Sequence, residues 1–138
     1  MDDKDLRIIE MLMQNARIAK TKIARTLGVT EAAVRKRISN LEKREEILGY
    51  RAIINYKKVG LNASITGFDV EPDRLWAIVD ELKKIDEVKS LWLTTGDHTI
   101  MAEIVAKSVD DLSSIHERLA KMEGVKRVCP SIVTDILK

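Results

Sequence analysis

Gly28 stands between two apolar triplets, Ile23, Ala24 and Leu27 before it and Val34, Ile38 and Leu41 after it. Both triplets recur at three- and four-residue spacing, the period of one helix face. Glycine takes a left-handed C-cap without steric cost, and the Thr30 hydroxyl suits an N-cap. The spacing therefore predicts a helix over residues 20–27, a tight turn at Gly28 and a second helix over 31–45. Ala24 is small where the two must cross, so they can approach closely while the outer face of the later helix stays free. Upstream, Leu6, Ile9, Met13 and Ala16 predict another helix over 3–14 with that stripe inward. Asp2, Asp3 and Asp5 lie at its start, where carboxylates favour the helix dipole.

Charge is distributed unevenly over this pattern. The chain carries a net charge of +2 over 138 residues, but residues 1–58 hold 14 Lys/Arg against 8 Asp/Glu, and the remainder holds 10 against 14. From Arg17 to Arg44 there are nine basic residues and only Glu31 and Glu42 on the acidic side. An ordinary solvated face interleaves more carboxylates; this segregation is the footprint of a surface that meets phosphates.

Beyond residue 46 the pattern changes. Residues 48–56 are rich in β-formers and read as an extended strand leaving the helical unit, with 57–62 as linker. The rest divides into strand 63–70, helix 72–85, strand 88–95, a turn at Gly96-Asp97, strand 99–107, helix 109–122 and strand 125–137. Pro72 suits a first helical turn, and Ser108 with Asp111 resembles a capping box one methylene short. This βαββαβ order predicts a ferredoxin-like antiparallel sheet with two helices on one face. The fold class expected is α+β: a three-helix, winged-helix-like helix-turn-helix domain over 1–48, a strand and linker over 49–62, and a ferredoxin-like domain over 63–138.

Roles in the first domain follow from chemistry. Arg35 and Lys36, near the front of the later helix, suit guanine edges, and Ala32 and Ala33 suit a thymine methyl or close approach. Lys20, Thr21, Lys22, Thr30, Arg37 and Lys43 suit phosphates, which position a protein without reading sequence. Glu31 and Asn40 share the outer flank. The competing reading is a three-helix packing unit that touches no nucleic acid.

Much is excluded. No apolar stretch approaches the length of a membrane span, and the acidic opening Met1-Asp2-Asp3-Lys4-Asp5 is unlike a secretory signal, so a cytoplasmic chain is expected. Cys129 is the one cysteine, so no intrachain disulfide can form, and neither His98 nor His116 has a His or Cys partner at ligand spacing. No metal site is expected. Nothing pairs a nucleophile with a base, and no glycine-rich phosphate loop occurs, so an enzyme is not expected.

Two longer runs resemble a known family. DDKDLRIIEMLMQNARIAKTKIARTLGVTEAAVRKRISNLE followed by ILGYRAIINYKKVG is similar to the DNA-binding half of the Lrp/AsnC (feast/famine) transcription regulators. The TTGDH turn and the GVKRVCPSIVTDIL strand resemble that family's ligand-sensing domain. The resemblance spans essentially the whole chain. It implies regulation of transcription on double-stranded DNA, a homodimer built through second-domain sheets and assembling into tetramers or octamers, and an amino acid or related effector between dimers, with no other cofactor. It also implies an effector site at Thr95, Gly96, Asp97, His98 and Thr99, with Asp97 toward the ligand ammonium and Ser131 and Thr134 adding hydroxyls. By residues alone the Gly-Asp pair is ordinary turn chemistry. Leu91, Leu93, Ile132, Val133 and Ile136 suit strands that associate with another copy.

The chain departs from the family pattern twice. Glu45-Glu46-Ile47 replaces Gly-hydrophobic-Ile after the recognition helix, so a helix end without the glycine C-cap is expected. Gly96-Asp97-His98-Thr99 replaces Gly-Asp-aromatic-Asp in the sensing loop. The alternative to an effector-responsive regulator is a DNA-organising protein of broad specificity that senses nothing.

Overall fold

The computed structural model describes all 138 residues, which cluster into two compact units, Met1–Ile53 and Ile54–Lys138. None of its helices is long and apolar enough to cross a membrane.

The first unit is three helices, α1 (Asp3–Gln14), α2 (Lys20–Leu27) and α3 (Glu31–Lys43). Their starts and stops are chemical. The Asp2 carboxylate accepts from the Asp5 N–H, and the Thr30 hydroxyl accepts from the Ala33 N–H. Gly28 closes α2 at φ 67°, in the left-handed region that glycine tolerates. Ile8, Ile23, Ala24, Leu27, Val34, Ile38 and Leu41 form the core, with Leu12, Ile18 and Ile47 packed at its edge.

The expected face of α1 holds only at Ile9, which is half-buried against this core. Leu6 and Ala16 are exposed and Met13 is 81% exposed, whereas Asp5 and Ile8 are buried, with Leu12 half-buried. The apolar runs at 8–9 and 11–13 fit two helical phases equally well. The choice falls to Asp5, whose carboxylate meets Arg37 at 3.0 Å and Arg44 at 3.7 Å on α3.

The end of α3 also differs from expectation. The helix stops at Lys43, but it keeps a glycine-type cap without glycine: Glu45 lies at φ 58°, and the Glu46 N–H donates back to the Leu41 carbonyl at 2.9 Å. That six-to-one closure is the Schellman arrangement, here carried by a residue with a Cβ.

Residues 48–55 form no strand. No β-ladder joins them to another segment, and an unpartnered strand leaves its backbone groups without one. The helical unit therefore has no wing. Residues 56–59 are not an irregular linker either: α4 (Tyr56–Val59) is a single turn, capped by the Asn55 side chain and closed by Gly60 at φ 74°.

The second unit continues through β1 (Asn62–Val70), a 3-10 turn (Pro72–Arg74), α5 (Leu75–Lys83), β2 (Val88–Leu93), β3 (Ile100–Ala106), α6 (Val109–Ala120) and β4 (Val125–Ile132). The sheet is antiparallel in the order β2-β3-β1-β4, the expected ferredoxin-like topology. Pro72 begins a 3-10 turn rather than α5 itself, and the last strand ends five residues before the expected Leu137.

Alternation sorts the strands into two faces. Phe68, Ile100, Ala102 and Ile104 pack with Ile78, Leu82, Leu112, Ile115 and Leu119 of the helices. Ser64 and Thr66 point to the same side. They are buried yet satisfied, because the Ser64 hydroxyl lies 2.7 Å from both the Thr66 hydroxyl and His116 Nε2. Desolvation lowers the pKa of His116 from 6.5. The opposite face carries Ile65, Gly67 and Asp69 of β1, Met101 of β3 and Cys129 and Ser131 of β4, as the register requires.

Candidate nucleic-acid interface and effector turn

The basic side chains of the first unit separate into free and engaged groups. On α2, Lys20, Thr21 and Lys22 are exposed in the opening turns. On α3, Glu31, Ala32, Arg35 and Lys36 are exposed, while Ala33 and Asn40 are half-buried. The helix period explains this: Val34, Ile38 and Leu41 are drawn into the core, leaving the opposite flank outward. The Arg35 guanidinium pairs with Glu31 one turn earlier at 2.6 Å, with both side chains about half exposed. Such exposed pairs contribute little, so Arg35 can exchange Glu31 for another acceptor. Lys36 projects beside it.

Arg37 is otherwise occupied. Its Nη1 lies 2.8 Å from Asp2 and 3.0 Å from Asp5. Its hydrogen bonds to Asp2 and then to Asp5 raise its pKa, and the bond from Arg37 holds the Asp2 carboxyl below its ordinary value of 3.8. Arg37, expected at a phosphate, here also ties α3 to the start of α1. Composition counted this cation with the others, because charge totals do not show which are paired internally. Thr30 is likewise the α3 cap, although its hydroxyl remains exposed.

In the second unit, Thr94 to Thr99 connect β2 and β3. The Thr94 N–H donates to the Thr99 carbonyl at 2.9 Å, and the Thr94 hydroxyl donates to the His98 carbonyl at 2.6 Å. This pair closes the turn and leaves Thr95, Gly96, Asp97 and Thr99 exposed. His98 turns back over the sheet instead. Its Nδ1 meets an Asp69 carboxylate oxygen at 2.8 Å, and its ring covers Gly67 so closely that a Cβ there would collide with it. Ser131 pairs in register with Ile65, further along β4 from this end of the sheet, and Thr134 lies beyond the strand. One chain does not bring them to the turn.

The grouping missed by sequence spacing is Asp69, His98 and Cys129, whose donor atoms all lie within 4.8 Å of one another. They come from β1, the β2–β3 turn and β4. No local motif announces them, and only the sheet order makes them neighbours.

A helix-turn-helix with a cationic outer flank, joined to a ferredoxin-like sheet, defines a transcription regulator with an attached ligand-binding domain. Residues 1–42 match the AsnC-type helix-turn-helix domain and residues 64–138 match the Lrp/AsnC ligand binding domain. The chain is 42% identical over 140 residues to the HTH-type transcriptional regulator LrpA of Pyrococcus horikoshii, covering 100% of this chain and 99% of that protein. It is 32% identical to LrpA1 of Halobacterium salinarum, over 96% of this chain and 94% of that one. Solved structures with the same fold include E. coli AsnC (TM-score 0.69, 23% identity, 100% of this chain and 95% of that chain). Another is the regulator NMB0573 of Neisseria meningitidis in complex with L-Met (TM-score 0.70, 20% identity, 100% of this chain and 92% of that chain). This chain belongs to the Lrp/AsnC family of transcriptional regulators.

Proposed function

We propose that this regulator reads specific double-stranded DNA in the cytoplasm through the front of α3, and that an amino acid or related metabolite at the Thr95–Thr99 turn changes its binding or assembly. The observation that carries the DNA reading is the division of cations on α3. Arg37 pairs with Asp2 and Asp5 and remains available to a phosphate only by exchange, while Arg35 and Lys36 stand outward one turn behind the Thr30 cap. Those two suit O6 and N7 of guanine. Lys20, Thr21, Lys22 and Thr30 suit flanking phosphates, with Glu31, Ala32, Ala33 and Asn40 completing the contact surface.

At the turn, the exposed Asp97 carboxylate suits an α-ammonium, and the neighbouring backbone N–H groups suit an α-carboxylate. That a regulator of this fold was solved with L-Met supports an amino acid as the ligand class. Ser131 and Thr134 join such a site only if another copy presents them. The acting species is then a homodimer, assembled into a tetramer or octamer, and its operator is a palindrome with half-sites separated by whole helical turns.

Footprinting on the chain's own promoter, with and without each of the twenty amino acids, tests this. Protection of a palindrome, altered by at least one amino acid, is expected. Uniform coating of operator and random DNA alike, without any amino-acid response, would instead establish a broad DNA organiser.

A further inference from the structure

We propose that Asp69, His98 and Cys129 form a binding site for one thiophilic divalent metal ion of the zinc class. The three supply a carboxylate oxygen, an imidazole nitrogen and a sulfur, all within 4.8 Å of one another. This is the borderline-soft donor set that zinc and cobalt favour over magnesium or calcium. Around tetrahedral zinc such donors stand about 3.3–3.7 Å apart, from metal–ligand bonds of about 2.0–2.3 Å. Side-chain rotation of roughly an ångström therefore closes the shell.

The backbone is built for this. Gly67 sits opposite Cys129 in the β1–β4 register and two residues before Asp69 on the same face. Its missing side chain is the space that the His98 ring fills. The side chains of His98 and Asp69 are only 25% and 31% exposed, and Cys129 is half-buried. A histidine–aspartate hydrogen bond alone has ordinary structural uses. The chain's single thiol in the same shell changes the chemistry available.

Charge also closes. A carboxylate and a thiolate neutralise a dication, so Arg127, the register partner of Asp69, faces a neutral centre. Binding releases the thiol proton to solvent. Three protein donors leave a fourth position for water or for a group from another molecule.

The full chain, stripped with a chelator, is titrated with Co²⁺ and then with Zn²⁺ in competition. One Co²⁺ per chain is expected, with a thiolate-to-cobalt charge-transfer absorption that Zn²⁺ removes. Because Cys129 is the only cysteine, Cys129→Ser must abolish that band. His98→Gln and Asp69→Asn each weaken Zn²⁺ binding by about ten-fold or more. Gly67→Ala weakens it as well, although it leaves every donor in place. Circular dichroism separates these losses from unfolding: a variant with an altered spectrum is replaced by His98→Asn or Asp69→Ser. Asp97→Ala, one residue away and supplying no donor, retains the metal, so failure of the effector reading is distinguishable. Absence of binding, half a metal per chain from a thiolate shared between copies, or unchanged affinity in His98→Gln each overturn the site.

Discussion

Arg37 Nη1 lies 2.8 Å from an Asp2 carboxylate oxygen, a contact between the recognition helix and the residue that caps α1. It also reaches the largely buried Asp5 at 3.0 Å. Arg37→Ala leaves that second carboxylate with Arg44 alone, and an underpaired buried acid is destabilising. The denaturation midpoint should therefore fall further for Arg37→Ala than for Arg35→Ala, whose pair is exposed. Equal losses would mean that the contact does not orient α1. Because the folded pKa of Asp2 is lowered, its contribution is present above 3.8 and is lost as pH falls through the lower folded value.

On DNA, Arg35→Ala should reduce discrimination between operator and unrelated sequence by about 1–3 kcal/mol. Lys22→Ala should weaken both alike and lower the slope of log affinity against log salt by about one. Titrations at several salt concentrations separate the two. If both variants behave identically, the division into base-reading and phosphate-positioning residues is wrong.

For the effector, Asp97→Ala should abolish the response to amino acids while DNA affinity without them stays within about two-fold, since surface changes away from a contact are usually worth about 0.5 kcal/mol or less. Calorimetry with the responsive amino acid checks the binding side directly. Retained binding would remove Asp97 from the site.

Glu45 adopts φ 58° at the end of α3. A left-handed conformation costs an L-residue about 1–2 kcal/mol, partly offset because glycine loses more backbone entropy on folding. Glu45→Gly should therefore stabilise the first unit by about 0.5–1 kcal/mol, read from urea unfolding at unchanged m-value. A destabilised variant would show that the Glu45 side chain makes a stabilising interaction of its own.

His116 titrates differently in the two states. Its folded pKa lies below 6.5 because burial disfavours the cation. Between 6.5 and that lower value the unfolded chain binds the proton and the folded chain does not, so stability falls as pH falls through this window. Above 6.5 the histidine contributes no slope. His116→Gln should flatten the dependence in urea unfolding across pH 5–7, an interval of roughly ordinary histidine titration; an unchanged slope assigns it elsewhere.

What the sequence discloses follows from the range of each interaction. Gly28, Thr30 and the triplets around them act within a turn or two, and their roles are legible directly. The βαββαβ order is legible too, because strand and helix periods alternate cleanly from residue 62 onward. The face of α1 was not, since its apolar residues fit two phases and an ion pair with α3 decides between them. Residues 48–56 have strand composition but no partner strand. Asp69, His98 and Cys129 became neighbours only once β1 was placed between β3 and β4. The left-handed Glu45 was hidden by the assumption that a glycine-type cap requires glycine.

The packing of the His98 ring over Gly67 ties two separate stretches of the chain into one unit of substitution. A methyl group at 67 is compatible with this sheet only if 98 becomes smaller or swings away. A library randomised at both positions should therefore yield survivors that pair glycine with a ring or a bulkier residue with a slim partner, and few that combine bulk with bulk.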